Sequence, residues 1–202
     1  MTTLLVVRHA DVHNPGDVIY GRLPRFRLSH LGQEQAKRLA EFLADQPISA
    51  IYSSPQLRAR QTAQHIAAHR PGVTVRISSL LAEIMTSWQG TPNSIAGPNL
   101  NFFAERRAER DETLEQIAHR IRRFLRLVLR RHPEQTVVAV SHGDPILILQ
   151  LLVAGREPTF ASMREGRYPA KASVMKVELP RLDQEATVEY WEAPVAPTPL
   201  KV

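Results

Sequence analysis

Leu4-Leu5-Val6-Val7-Arg8-His9-Ala10 is the stretch that decides the fold. Its four consecutive apolar residues, two of them β-branched, predict a strand buried on both faces. An arginine and a histidine stand at its carboxyl end, which is where ligands bind in open α/β sheets. A guanidinium binds anions that have forked oxygens, and an imidazole acts as base or nucleophile near neutral pH. The alternative is an ordinary strand end with two solvated side chains.

Length and composition predict one folded domain. The chain has 202 residues, of which 43% are hydrophobic and 23% charged, as in other globular proteins. We expect the domain to cover residues 1–193, with an irregular lid at 84–111 and a proline-rich tail at 194–202. Because no apolar run could span a bilayer and no signal peptide is recognisable, we expect a cytoplasmic protein without a membrane partner. The absence of cysteine excludes disulfides, thiolate catalysis and cysteine-based zinc sites.

The positive charge indicates acidic partners. The formal net charge of +6 suits either an acidic small molecule or a nucleic acid. Part of it lies on a helix predicted from Glu112 to Arg131, on the side opposite its apolar stripe, at Arg122, Arg123, Arg126 and Arg130. No aromatic residues are interleaved there for base stacking, so we expect a solvated face and no nucleic-acid partner.

A second buried strand, Thr136 to Ser141, is also followed by a histidine. The next residues are His142-Gly143-Asp144-Pro145, and the proline suits the first turn of a helix predicted from Pro145 to Val153. The chain therefore has two buried strands that each lead into a histidine.

An arginine follows the strand predicted at Ile48 to Tyr52. Ser54 is predicted to cap a helix that has Pro55 at its first position, so Arg58 falls in or just after the first turn. A strand, a turn and an arginine at a helix N-terminus form anion-binding geometry. Arg60 points another way on this helix, and we assign Arg58 to the site.

Other segments complete the prediction. Ser29 is predicted to cap a helix from His30 to Ala44. Further strands are predicted at Val73 to Ile77, Ala172 to Leu179 and Thr187 to Trp191. Glu83 follows the first of these, where partial burial would raise the pKa of its carboxyl; a surface glutamate is the alternative. The loop that carries Arg22, Arg25 and Arg27 either guides an anionic substrate or is solvated.

The candidate residues converge on one site, because strand ends meet at one edge of a parallel sheet. The residues are His9, His142, Arg8, Arg58 and Glu83. Two histidines with a carboxylate from Glu83, Asp11 or Asp144 could hold a divalent metal. Since the guanidiniums of Arg8 and Arg58 would repel a cation, we expect neither a metal nor another cofactor.

The chain resembles the histidine phosphatase superfamily, the phosphoglycerate-mutase-like group, over nearly its whole length. The landmarks are Val7-Arg8-His9-Ala10 with Asn14, the segment 28–36 (Leu-Ser-His-Leu-Gly-Gln-Glu-Gln-Ala), the segment 53–63 (Ser-Ser-Pro-Gln-Leu-Arg-Ala-Arg-Gln-Thr-Ala), Leu81-Ala82-Glu83, and Val140-Ser141-His142-Gly143. The resemblance implies an α/β three-layer sandwich, with a mostly parallel central sheet and helices on both faces.

The resemblance also implies the roles of the site residues. His9 would be the nucleophile that becomes a phosphohistidine, and Glu83 would protonate the leaving group. Arg8, Arg58 and His142 would hold the phosphoryl oxygens as catalytic residues, with Asn14 assisting. We also assign Arg22, from the basic loop, and Gly143 to substrate binding. We expect His142 to be a protonated imidazole that helps the two arginines to neutralise the phosphoryl oxygens. We expect one His9 nitrogen to be unprotonated and the other to donate to a backbone carbonyl.

Three residues depart from the usual family pattern. Ala10 stands where the family usually has glycine, which is tolerable unless that position needs a positive φ or a close backbone approach. Asp11 often has glutamine as its counterpart, and Asp144 follows the second His-Gly. Because the segment after Glu83 lacks the usual glycines, Asp11 and Asp144 are alternative acids.

The reaction predicted is hydrolysis of a small phosphomonoester. Phosphoglycerate mutases of this group are usually longer and have an Arg-Tyr-Gly type of motif in the lid, which this chain lacks. The alternatives are a mutase-type phosphoryl transfer and a non-catalytic protein that binds a phosphorylated ligand. The basic loop suggests a substrate with a second acidic group. The sequence leaves the oligomeric state open, a dimer included.

Overall fold

Six strands form one sheet in the part of the chain that the structure describes, residues 1–97, 100–166, 168–179 and 186–191 of a computed structural model. The strands are β1 (Thr2–Arg8), β2 (Ile48–Ser53), β3 (Val75–Ile77), β4 (Thr136–Ser141), β5 (Val174–Leu179) and β6 (Thr187–Trp191). Their order across the sheet is β3-β2-β4-β1-β5-β6. β1 to β4 run parallel to one another, and β5 and β6 pair antiparallel. The prediction of a mostly parallel sheet is confirmed.

The helices are α1 (His30–Phe42), α2 (Leu57–Ala68), α3 (Asn93–Ala96), α4 (Leu114–Arg131), α5 (Gly143–Val153) and α6 (Phe160–Glu165). Ser29 caps α1 by accepting a hydrogen bond from the Gly32 backbone N–H, as predicted. Thr113 caps α4 in a capping box with Gln116. None of these helices in the described ranges is long and apolar enough to cross a membrane.

The apolar run of β1 is buried on both faces of the sheet. Leu4 and Val6 belong to a core cluster with α4 and α5. Leu5 and Val7, which point the other way along the strand, belong to a second cluster with α1 and α2. A central strand covered by helices on both sides needs apolar residues at every position. The three-layer arrangement is thereby confirmed.

Several predicted boundaries were wrong by a few residues. β5 begins two residues after the predicted Ala172, and α6 was not predicted. α5 begins at Gly143 rather than at Pro145. α2 begins at Leu57 after an N-cap residue, Gln56, that makes no side-chain cap. The predicted cap by Ser54 is therefore wrong, because its hydroxyl bonds to another element.

The described residues of the predicted lid, 84–97 and 100–111, are irregular apart from α3, and hydrogen bonds within the segment hold it together. Trp88 is 8% exposed, and its indole N–H donates to the Glu105 carbonyl. The Asp111 carboxylate accepts hydrogen bonds from Ser87 and Arg107. The predicted tail, 194–202, lies outside the described residues, and the extent predicted for the domain stays a prediction.

Candidate active site

The ends of β1 and β4 bring His9 and His142 together. β1 and β4 are adjacent and parallel with Arg8 opposite Ser141, and the His9 N–H donates to the Ser141 carbonyl at 3.0 Å. The two imidazole centroids lie 5.1 Å apart, and the side chains are 1% and 0% exposed. The residues that follow two adjacent buried strands thus place their imidazole rings side by side.

His9 presents an unprotonated Nε2 to the site. Its Nδ1 lies 2.8 Å from the Ala10 carbonyl, which can only accept, so Nδ1 carries the proton. Arg58 Nε donates to Nε2 at 3.2 Å. Burial lowers the pKa of His9 well below its usual value, and the charges of Lys171 and Arg58 add to this effect. The predicted hydrogen bond from His9 to a backbone carbonyl is confirmed.

The loop after His9 is fixed by side chains of α1 and α2. Thr62 Oγ1 accepts from the Ala10 N–H at 3.1 Å, and Gln35 Oε1 accepts from the Asp11 N–H at 2.9 Å. At Gly32 an added Cβ would lie 2.0 Å from the Asp11 carbonyl oxygen, so only glycine lets α1 pack this closely. The family-like segments 28–36 and 53–63 therefore hold the backbone that carries His9.

Ala10 fits its position without strain. It lies outside the positive-φ region, where glycine would be needed. Its methyl is fully buried in the core cluster of α1 and α2. The departure from the family's glycine is thus accommodated by packing, as expected.

Arg58 connects the other site residues. It lies in the first turn of α2 and is 0% exposed. One terminal nitrogen donates to the Gly21 carbonyl at 2.8 Å and contacts His142 Nδ1 at 3.1 Å. The same nitrogen lies 3.7 Å from the Glu83 carboxylate. The Tyr20 ring covers the guanidinium at 4.5 Å.

Two guanidinium nitrogens at the site lack an acceptor. Arg8 Nη1 donates to the Pro169 carbonyl at 2.6 Å, but Arg8 Nε has no partner within the described residues. Arg58 Nη1 is also buried and without a partner there. A buried N–H donor that lacks an acceptor is costly and marks a position where a ligand oxygen is expected.

His142 has the opposite tautomer to His9. Because Arg58 can only donate, His142 Nδ1 must accept, and Nε2 then donates to Ser54 Oγ at 2.6 Å. Burial and the charge of Arg58 lower the pKa of His142 well below its usual value. Burial, together with the hydrogen bonds at both nitrogens, thus favours a neutral His142 rather than the protonated imidazole that we expected. In this form the ring has no N–H left for a phosphoryl oxygen, and the predicted contact of His142 with substrate stays a prediction.

Glu83 is held next to both His142 and Arg58. Its carboxylate lies 3.6 Å from His142 Nδ1, and the side chain is 14% exposed. Its backbone N–H donates to Gln56, and its carbonyl accepts from Arg22 Nε at 2.7 Å. Arg22 also forms an ion pair with Glu112 at 2.7 Å. Arg22 therefore positions Glu83, and its predicted contact with substrate stays a prediction.

Asn14 and Gly143 occupy different surroundings. The Asn14 side chain bonds at both ends to the Val18 backbone and so closes its own loop. An added Cβ at Gly143 would lie 2.0 Å from the Tyr168 hydroxyl oxygen, so glycine makes room for this ring. The substrate contacts predicted for Asn14 and Gly143 also stay predictions.

Sequence reasoning missed two tyrosines and a lysine at the site. Arg8 lies over the Tyr168 ring at 4.9 Å, and the Tyr168 hydroxyl bonds to Asp144. Burial and the charge of Glu83 raise the pKa of Asp144 to about 7. Lys171 Nζ donates to the Tyr20 hydroxyl at 3.0 Å, and the Tyr20 ring centroid lies 6.4 Å from that of His9. Loop residues of this kind have no periodic signal in the sequence.

The site combines neutral imidazoles with arginines, which is chemistry suited to an anion. No group of three histidine, aspartate or glutamate side chains in the described ranges is arranged to hold a metal ion. Asp11, one of the alternative ligands, accepts a hydrogen bond from the Ser29 hydroxyl at 2.6 Å.

Comparison with known protein families identifies the family to which this site belongs. A model of the histidine phosphatase superfamily (branch 1) matches residues 4–192. The chain belongs to this superfamily. The predicted family and the prediction of a histidine-type phosphatase are thereby confirmed.

Relatives of this histidine phosphatase cover most of its length. An uncharacterized protein of Mycobacterium tuberculosis is 34% identical over 165 residues, 77% of this chain and 80% of the relative. Phosphoserine phosphatase 1 of Hydrogenobacter thermophilus is 30% identical over 164 residues, 77% of each chain. A solved mycobacterial glucosyl-3-phosphoglycerate phosphatase is 24% identical, with a TM-score of 0.79 over 95% of this chain and 98% of its own. The latter similarity shows a shared fold.

Proposed function

We propose that this protein hydrolyses a small phosphomonoester without a metal, through a phosphohistidine formed at His9. One observation supports this most strongly: Arg58, which donates to the unprotonated Nε2 of His9, and Arg8, the residue before His9, each have a buried N–H without an acceptor among the described residues. Guanidiniums suit the oxygens of a phosphoryl group, and a neutral imidazole is the form that attacks phosphorus.

The reaction has two steps. The His9 Nε2 lone pair forms a bond to phosphorus while the ester P–O bond breaks, and an acid gives its proton to the leaving oxygen. Water then attacks the phosphohistidine, the P–N bond breaks, and the same group accepts the proton of the water. Arg8 and Arg58 stabilise the phosphoryl oxygens in both steps. His142 accepts a hydrogen bond from Arg58 and thereby orients that guanidinium.

Two carboxyl groups compete for the role of acid. Glu83 is the one implied by the family, and it lies beside His142 and Arg58. Asp144 is the other, because a pKa of about 7 keeps part of it protonated at neutral pH. Asp11 is a weaker candidate, since its carboxylate accepts the Ser29 hydroxyl.

The substrate proposed carries a second acidic group. The basic character of the loop after β1 supports this, and so does the Hydrogenobacter relative, which is named for phosphoserine, a phosphomonoester with a carboxylate. Screening of phosphorylated metabolites tests the class, with 3-phosphoglycerate assayed in the presence and absence of 2,3-bisphosphoglycerate. Formation of 2-phosphoglycerate instead of inorganic phosphate would identify a mutase.

Hydrolysis of p-nitrophenyl phosphate in a chelating buffer tests the mechanism. We expect the wild type to be active and His9→Ala to be inactive. Equal rates would leave a binding protein as the better hypothesis, and activity that depends on an added divalent metal would refute the metal-free mechanism.

Paired variants distinguish the acids. Replacing the acid should lower kcat by about 10²–10⁴-fold for an alkyl phosphate, and much less for p-nitrophenyl phosphate, whose leaving group needs no proton. Glu83→Gln and Asp144→Asn are compared on both substrates, and the variant with the larger difference identifies the acid.

A further inference from the structure

Lys171 is a cation at the site to which the proposed mechanism gives no role. It lies two residues before Ser173, whose carbonyl accepts from the Arg8 N–H at 3.2 Å, and the Ala172 N–H donates to the Arg8 carbonyl at 3.1 Å. The backbone of Lys171 is therefore held beside the end of β1. Its charge lowers the pKa of His9, which places the ammonium group near the nucleophile.

Lys171 has no carboxylate partner within the described residues. Its hydrogen bond goes to the neutral Tyr20 hydroxyl, and no ion pair forms within 4.0 Å. Burial and the charge of Arg8 lower the pKa of Lys171 to about 8, with Asp11 opposing that change. A half-buried ammonium group with this surplus of positive neighbours favours an anion from outside the chain.

The Tyr20 ring contacts both Lys171 and Arg58. The ring centroid lies 4.5 Å from the Arg58 guanidinium carbon and 5.6 Å from Lys171 Nζ. Arg58 belongs to the residues that would bind the phosphoryl group, so Lys171 lies against the same aromatic ring as one of these residues. The Tyr20 hydroxyl accepts from Lys171, which leaves its own hydrogen to donate to another oxygen.

We propose that Lys171 and Tyr20 bind the carboxylate of a substrate that is a phosphate ester of a small hydroxy acid. Nζ would bind one carboxylate oxygen and the Tyr20 hydroxyl the other, while the phosphoryl group lies against Arg8, Arg58 and His9. This inference rests on the proposed function, and it assigns the second acidic group of the substrate to a defined pair of residues.

The test uses two substrates that differ only in the carboxylate. 3-Phosphoglycerate carries a carboxylate where glycerol 3-phosphate carries a hydroxymethyl group. We expect wild-type kcat/KM to favour 3-phosphoglycerate, and Lys171→Met to lose about 10- to 100-fold on that substrate and little on glycerol 3-phosphate. Lys176→Met is the matched control, because Lys176 pairs with Glu178 on β5, and it should behave as the wild type.

Each other outcome overturns the inference. If Lys171→Met keeps the wild-type preference, or if its kcat/KM falls equally on both substrates, Lys171 does not bind the carboxylate. A wild type that is active but has no preference also contradicts the inference, and it leaves the proposed function intact. A wild type inactive on both substrates and on p-nitrophenyl phosphate overturns the proposed function as well.

The pH dependence supplies a second readout. The preference should fall as the pH rises through about 8, because Lys171 loses its charge there. Burial raises the pKa of Tyr20, so its hydroxyl stays protonated over this range. The other charged or titratable groups facing Lys171 are Arg8, His9, Asp11, Arg58 and Glu83. A preference that is constant from pH 7 to 9 would contradict the assignment.

Discussion

The ends of β1 and β4 look alike in sequence and differ in structure. Each is a buried strand followed by a histidine, and the two imidazoles lie 5.1 Å apart. The Nδ1–H of His9 donates a hydrogen bond to the carbonyl of the next residue, and the unprotonated Nε2 faces Arg58. The Nε2–H of His142 donates a hydrogen bond to the Ser54 hydroxyl, and its Nδ1 accepts one from Arg58.

The difference shows that the chemical role of each ring is determined by its hydrogen-bond partners and not by its position in the sheet. A ring whose proton is held by a backbone carbonyl has its opposite nitrogen fixed as an acceptor or nucleophile. A ring held on both sides by other side chains is fixed in orientation. We therefore assign attack on phosphorus to His9. To His142 we assign the orientation of Arg58, whose guanidinium stabilises the phosphoryl oxygens.

Removing each histidine tests this division most severely. His9→Ala should lower kcat/KM for p-nitrophenyl phosphate by about 10⁴-fold or more, because it removes the proposed nucleophile. His142→Ala should lower it by about 10²-fold, because Arg58 loses the acceptor that orients it. A larger loss for His142→Ala would reverse the assignment.

Ser54→Ala sharpens the comparison on the β4 side. The variant removes the acceptor of the His142 Nε2 proton, and we expect kcat to fall about tenfold with KM little changed. Ser53→Ala is the control, because Ser53 is an equally buried serine whose hydroxyl donates to the Ser54 carbonyl. Equal losses in the two variants would mean that Ser54 acts only through packing.

Thr62→Val tests the same comparison at the end of β1. The variant leaves the buried Ala10 N–H without its acceptor, which should cost about 1–3 kcal/mol in the free energy of unfolding and only a few-fold in kcat. Thr62→Ser keeps the hydroxyl and should retain both. Denaturant unfolding measures the first quantity, and an unchanged midpoint in Thr62→Val would refute this role.

Nitrogen-15 NMR of labelled histidines detects the difference without a mutation. His9 should be the Nδ1–H tautomer and His142 the Nε2–H tautomer. Since burial lowers both pKa values, the neutral forms should persist as the pH falls through 6.5, where an unperturbed imidazole gains its proton. The same tautomer for both rings, or protonation of either near pH 6.5, would contradict the structure.

The sequence predicted those site residues that have a local signal. Arg8 and His9 end an apolar run, and Arg58 lies in the first turn of α2 even though the predicted cap was wrong. The Ser54-Pro55 pair is typical of a helix start. The hydroxyl of Ser54 bonds instead to His142, which lies 88 residues further along the chain. Such a tertiary partner outweighs a local propensity.

The remaining features depend on which loops the sheet brings together. Lys171 reaches the site because Ala172 bonds to the backbone of β1, and nothing near Lys171 in the sequence indicates this. The lowered pKa of His142 was missed because it depends first on burial in the folded protein and then on the charges of Arg58 and other neighbours. Neither effect follows from periodicity or motif spacing.

The phosphohistidine itself is the most direct test of the proposed mechanism. Wild-type protein is mixed with ³²P-labelled substrate, quenched in alkali within milliseconds, digested and analysed for labelled peptides. The mechanism predicts acid-labile label on the peptide that contains His9, its persistence in His142→Ala and its absence from His9→Ala. Label on His142 or on an acidic side chain would contradict the mechanism. So would label that is undiminished in His9→Ala.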